Sequence, residues 1–174
     1  NSIGKKDQEY KSSPQIELMG NVEFLSTYPL IKTNEIFKDY LTPKISLRFN
    51  SSDMKDYSSS DKKININNIF SNNRLGITDS FEAGRSLTLG LDFKKEKLEN
   101  INKYFEIKLG TVLRDKEEKN IPKISTLNRK NSNLFGSISN SLSENLTINY
   151  NFALDNNLSS FEYNDIRTKI SLNN

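Results

Sequence analysis

Over most of its length the chain returns an apolar residue at every second position. That is the period of a β-strand, whose successive side chains point to opposite faces. The cleanest run lies in FSNNRLGITDSFEAGRSLTLGLDFKK, residues 70–95. Leu87, Leu89, Leu91 and Phe93 fall on one side, and Ser86, Thr88, Gly90, Asp92 and Lys94 on the other. The stretch before them is irregular and polar, with Asn72, Asn73, Gly76, Asp79 and Gly84 supplying residue types that loops use. A long polar loop feeding a long two-faced strand is the unit that the chain repeats.

Taken in order, Asn1 to Ser13 has no pattern and reads as a loop tail. After Pro14, Ile16, Leu18, Gly20, Val22 and Phe24 alternate with Glu17, Met19, Asn21 and Glu23. Tyr28 to Tyr40 breaks the alternation and reads as a connection, with a brief helical turn near Asn34 to Asp39. Ile45, Leu47 and Phe49 then alternate with Lys44, Ser46, Arg48 and Asn50, in a strand over 41–50. Ser51 to Gly84 is longer than the connections compact domains usually contain, which marks a functional or mobile loop, although ININNIF offers a short alternating piece.

Beyond the strand from Gly84 to Lys95, Phe105, Ile107, Leu109, Thr111 and Leu113 oppose Glu106, Lys108, Gly110, Val112 and Arg114. A second long loop, Asp115 to Asn133, leads to Leu134, Gly136, Ile138 and Leu142, opposite Phe135, Ser137, Ser139 and Ser141. Leu146, Ile148, Tyr150, Phe152 and Leu154 oppose Thr147, Asn149, Asn151, Ala153 and Asp155, and a last strand sets Ile166, Ile170 and Leu172 against Arg167, Lys169 and Ser171. The prediction is an all-β, antiparallel, up-and-down sheet of about seven strands of about ten residues each. Tilted near 45°, strands of that length span the apolar layer of an outer membrane.

Two environments fit such two-faced strands. One is a soluble sheet whose apolar face packs on a second layer; the other is a transmembrane barrel wall. The strands are long, and charge is confined to one face: Glu17, Glu23, Lys44, Arg48, Asp92, Lys94, Glu106, Lys108, Arg114 and Asp155. A Lys or Arg turned to lipid at mid-depth costs about 2–4 kcal/mol, so a lipid-facing surface excludes them. Tyr40, Tyr104, Tyr163, Phe49 and Phe93 lie near strand ends, where an aromatic girdle sits. Turns are shorter after Lys95 and Leu142, and loops longer after Asn50 and Arg114, as in outer-membrane barrels.

Composition narrows the chemistry. Only 34% of the 174 residues are hydrophobic and mean hydropathy is −0.68, so apolar side chains are used sparingly. Net charge is +3, but Lys and Glu are interspersed, unlike the basic stripe of a nucleic-acid reader. There is no Cys and no His, which removes disulfides, thiolate metal sites, the commonest metal ligand and the usual general base. No run approaches a membrane-spanning helix. Asp53, Asp56, Asp61 and Asp79 do not have EF-hand spacing. Glu117-Glu118 sits in a charged turn, and no phosphate loop or nucleophile elbow is present. No catalytic, metal or cofactor residues are predicted. The chain opens without Met and stops within a pattern, so it reads as a piece of something longer.

The ordered motifs carry a resemblance. NRLGITDSFEAGRSLTLGLDFK is similar to the loop and strand of the outer-membrane LPS-assembly family LptD, also called the organic solvent tolerance protein family. Asn73, Arg74, Asp79, Glu82, Gly84 and Gly90 match that family's motif, while Ser80 stands where Arg is usual and Leu89 where Tyr is frequent. LTPKISLRFN, with Pro43 and Lys44, GTVLRDKE, with Gly110 and Arg114, and NSNLFGSIS and NYNFALD, with Asn133 and Asp155, resemble further family strands in the same order.

The resemblance implies a single outer-membrane β-barrel domain of which residues 1–174 are part. This piece alone would be an open curved sheet, the remaining strands and an N-terminal periplasmic jelly-roll lying outside it. It implies insertion of lipopolysaccharide into the outer leaflet, an LptE-like lipoprotein plug in the lumen, and periplasmic bridge proteins that deliver the lipid to the missing domain. Neither nucleic acid nor a cofactor is implied. The family's disulfide cysteines have no counterpart here.

On this reading Lys44, Arg48, Asp92, Glu106, Lys108, Arg114 and Asp155 face the lumen. The cations among them either offer positive field to phosphates or are paired with Glu17, Glu106 and Asp92 and keep the lumen wet; pairing is the plainer reading. Two alternatives remain open: another outer-membrane barrel, such as a porin or receptor, and a soluble adhesin-like sheet that binds partners by one face.

Overall fold

The computed structural model describes residues 20–171, together with a short two-stranded ladder of β1 (Lys5–Lys6) and β2 (Glu9–Tyr10). The strand residues expected from Ile16 to Met19 and at Leu172 lie outside the described part. The rest is one open antiparallel sheet of eight strands: β3 (Val22–Thr27), β4 (Leu30–Thr33), β5 (Phe37–Asn50), β6 (Gly84–Lys97), β7 (Asn100–Arg114), β8 (Leu134–Ser143), β9 (Leu146–Leu154) and β10 (Phe161–Ile170). Its order is β10-β9-β8-β7-β6-β5-β3, with β4 also on β5, so each strand lies beside its neighbour in sequence apart from the split edge.

That split edge corrects the expectation of a connection over 28–40. β3 pairs with residues 44–49 of β5 and β4 with residues 38–41, so both occupy one edge position, interrupted at Pro29. Proline has no N–H to give to a ladder and is tolerated at an edge. β5 begins at Phe37, not Leu41, and no helical turn forms between. Instead Asn34 Oδ1 accepts the Ile36 and Phe37 N–H groups at 2.9 and 2.7 Å, the local bonding by which Asn closes a tight turn. ININNIF forms turns rather than a strand.

Register puts the apolar sets on one face. Leu47, Leu87 and Leu113 form one row across β5, β6 and β7, and Phe93, Ile107, Ile138 and Tyr150 another across β6 to β9. Nothing in the described chain covers this face: Phe24, Leu47, Phe49, Leu89, Leu91 and Ile166 are all exposed. Charge appears on it only toward the two rims, including Arg85 and Asp115 by the long loops and Lys32, Asp39, Lys95 and Lys97 by the short turns. From Arg85 to Lys95 is about 33 Å along β6, or about 23 Å of depth at a 45° tilt, close to the height of a barrel's apolar band. Phe49 and Phe93 belong to this face. Tyr40, Tyr104 and Tyr163 do not; Tyr40 donates to Glu96 and Tyr163 packs on the core beneath the loops, so the expected girdle loses its three tyrosines.

The core lies on the other face. The loops over 51–83 and 115–133 fold back over the polar side of the sheet instead of standing away from it. Met54, Ile64, Ile66, Ile69, Leu75, Ile77, Ile121 and Leu127 pack there with Val112, Phe135 and Ala153 of the strands. Ile69, Ile121 and Leu127 are fully buried. The loops also bond to each other: Tyr57 N–H to the Asn120 carbonyl at 2.9 Å, Asn120 Nδ2 to the Met54 carbonyl at 2.9 Å, and Lys123 N–H to the Ser58 carbonyl at 3.2 Å. No helix among the described residues is long and apolar enough to cross a membrane.

Candidate functional site

Where the first loop meets the sheet, register sets Arg48 of β5, Ser86 of β6 and Arg114 of β7 in one row. A serine between two arginines leaves room above it, and Arg74 and Glu82 of the loop fill that room. Arg74 grips Glu82 in a two-pronged contact, Nε to Oε2 at 2.7 Å and Nη2 to Oε1 at 2.5 Å. Its Nη1 also donates to Thr88 Oγ1 at 2.9 Å and its Nη2 to Ser86 Oγ at 3.1 Å. Glu82 accepts further from Arg114 Nη1 at 2.5 Å and from Arg48 Nη1 at 3.3 Å. Arg48 reaches Glu23 Oε1 at 2.9 Å and the Ser71 carbonyl at 2.8 Å, and Arg114 donates to the Ala83 carbonyl.

All of these side chains are buried or nearly so. Burial alone would push the Glu82 carboxyl up; the charges of Arg74, Arg114 and Arg48, with the Arg74 hydrogen bonds, outweigh it and hold the group down at about 2. The carboxylate is thus ionised across the physiological range.

The other motif residues have separate places. Asn73 closes the loop on itself, its Nδ2 donating to the Ile77 carbonyl at 2.7 Å and its Oδ1 accepting the Ile77 N–H at 3.0 Å. Gly84, at φ +83°, has the left-handed backbone that returns the chain to the sheet directly after Ala83. Gly90 makes room: a Cβ there would come within 2.5 Å of the Phe70 ring. Gly110 lies directly beside it on β7, under Ile66 and Ile69, so two glycines form the shallow seat on which loop side chains rest. Asp79 is not part of the arginine cluster. It bonds Tyr57 and, at 3.0 Å, Lys55 at the surface; the Tyr57 and then the Lys55 hydrogen bond lower its pKa, and the bond to Asp79 raises that of Tyr57.

Of the remaining charges, Lys44 pairs with Asp92 at 2.5 Å and Lys108 with Glu106 at 2.9 Å, side by side on the part of this face toward the short turns. Asp155 sits just past β9, where the Ser159 hydroxyl and N–H, both at 2.7 Å, hold its turn and lower its pKa. Glu17, expected as a partner, lies outside the described residues. Sequence reasoning missed the Glu23 and Ser46 contact at 2.8 Å and the apolar loop residues. Their one signal was the set of isoleucines inside a polar stretch, where a solvated loop has no use for them. Among the described residues no group of three or more His, Cys, Asp or Glu is placed to hold a metal ion.

The family model for LptD, LPS transport system D, matches residues 1–174, the whole chain. The chain belongs to the LptD family. No curated protein matches it. LptD proteins are outer-membrane transporters that assemble lipopolysaccharide, and they make or break no bond. For an LptD chain, the open sheet with one bare apolar face is a stretch of barrel wall. The arginine cluster on its other face ties the loop over 51–83 to the sheet.

Proposed function

We propose that residues 1–174 form part of a single LptD barrel domain, with the bare apolar face turned to hydrocarbon and the loop-covered face turned to the lumen. The remaining strands would extend the sheet at β3 and β10, satisfying the edge groups that hydrocarbon cannot. The observation that carries the reading is the outward face: no charge lies on β6 between Arg85 and Lys95, while the opposite face carries Asp92 and Lys94 over the same depth. On this reading lipopolysaccharide passes along the polar face, an LptE-like lipoprotein plug stands in the lumen beside it, and periplasmic bridge proteins deliver the lipid through a domain outside this segment.

The close pairs Lys44–Asp92 and Lys108–Glu106 support the plainer role for those lysines, neutralised and keeping the lumen wet. In full-length protein in outer membranes, single cysteines at Lys108, Ser139 and Asn149 should react with a membrane-impermeant maleimide once the barrel is permeabilised. Cysteines at Leu47, Leu89 and Leu109 should stay unlabelled, and fluorophores placed there should be quenched by brominated lipid. The reverse pattern would turn the wall inside out and end the proposal.

A further inference from the structure

The members of the arginine cluster belong to two bodies. Arg48 and Arg114 are carried by strands on either side of β6, whereas Arg74 and Glu82 are carried by the loop over 51–83. The bidentate Arg74–Glu82 pair is internal to the loop, so the two can leave together without stranding either charge. The strands cannot follow: once the loop lifts, Arg48 and Arg114 lose their shared counter-ion together with the Ser71 and Ala83 carbonyls. Arg48 keeps Glu23 on the neighbouring strand, but Arg114 is left with no ion-pair partner among the described residues. Lifting the loop is therefore opposed until another anion replaces the carboxylate.

Two observations point to the kind of anion. Nε of Arg48 and Nε of Arg114 are buried without a hydrogen-bond partner, donors that the two oxygens of Glu82 do not reach. Counting Glu23, the ion pairs of the described cluster set three arginines against two glutamates, with the Glu118 carboxylate the next anion beside Arg114. A phosphate offers more oxygens and more charge than a carboxylate, and guanidinium groups bind both with the same forked geometry.

We propose that Arg48 and Arg114 are a phosphate-binding site on the barrel wall, occupied at rest by Glu82, and that a phosphorylated lipid saccharide displaces the carboxylate and frees the loop. No covalent step is involved; one anion exchanges for another. The proposal rests on reading this face as the lumen, since only there does the transported lipid meet it.

The test uses full-length protein in nanodiscs, read by amide hydrogen exchange of residues 51–83. In Glu82→Gln, exchange of the loop should quicken at least tenfold, and millimolar inorganic phosphate should bind the bare arginines, read as a 31P shift and broadening, without restoring loop protection. Phosphate should not bind Glu82→Gln/Arg48→Gln/Arg114→Gln. If phosphate fails to bind the single variant, or binds the triple variant equally, the site is wrong. In the unmodified protein, lipopolysaccharide should speed loop exchange and the same lipid stripped of phosphate should not. An equal effect of inorganic phosphate would keep the site and assign it to free anion; no effect of any of the three overturns the displacement.

A second variant does not depend on Glu82. Asn21 Nδ2 meets Asn72 Oδ1 at 2.7 Å, so Asn21→Cys/Asn72→Cys can pin the loop to β3. The oxidised form should lose lipopolysaccharide delivery and regain it on reduction. Normal delivery by fully cross-linked protein would refute loop release while leaving the family's transport activity and the barrel reading intact.

Discussion

Glu82 is where the fold concentrates its electrostatic risk. One carboxylate among three guanidiniums, all buried, is a group whose removal strands charge. Its acid behaviour follows with a definite sign. The carboxyl titrates near 4.5 when free and at about 2 in place, so its contribution, about 3 kcal/mol, is complete above pH 4.5 and is lost as pH falls toward 2. A fluorophore on a cysteine at the exposed Ser71 should report loop release over that window in wild type, and no such transition in Glu82→Gln. Gly90 makes a steric counterpart. Gly90→Val would drive a side chain into the Phe70 ring and lift the loop, at a cost of about 1–3 kcal/mol. Loop exchange should quicken while the β5–β6 ladder stays protected. The pairing of Arg74 with Glu82 was half legible in the sequence, as a spaced motif. That Arg48 and Arg114 join them depends on register with Ser86, which no local pattern announces.

At the scale of elements, strands and loops differ in how openly they are written. Strands β5 to β9 follow from an alternation that any one-residue slip would invert, moving a whole apolar set to the wrong face. β4 escaped notice because Leu30 to Thr33 is only four residues between Pro29 and the Asn34 turn, too short to show a period. The loops escaped for a different reason: Ile64, Ile66, Ile69, Leu75, Ile121 and Leu127 are buried at irregular spacing, and only the tertiary arrangement gives them a common neighbour. Since both loops share that core, they should loosen together. Leu127→Ala, in the second loop, should cost about 2–5 kcal/mol and raise hydrogen exchange in residues 51–83 as well as 115–133. An effect confined to the second loop would mean two separate packings.

For the molecule as a whole, the informative feature is an inverted arrangement. The covered core lies on the polar side of the sheet, and the uncovered side is apolar. A water-soluble sheet would be built the other way round, which is why family membership and the bare face agree. Depth should therefore govern tolerance of charge. Leu89→Arg, near the middle of the band, should cost about 2–4 kcal/mol of folding stability in lipid, whereas Phe93→Arg, nearer Lys95, should cost less. Equal penalties at both positions, measured by denaturant titration in liposomes, would contradict a bilayer around this wall.

The inward-folded loops also bear on how the protein can be recognised by antibodies. In a serum raised against a free peptide of residues 64–77, the antibodies that read Ile64, Ile66, Ile69, Leu75 or Ile77 would find those side chains shut away in the finished protein. That fraction would stain denatured bands and miss the folded protein. Epitopes on the native surface must instead be assembled from exposed points of both loops, such as Ser71 to Asn73 of one and Lys123 and Ile124 of the other.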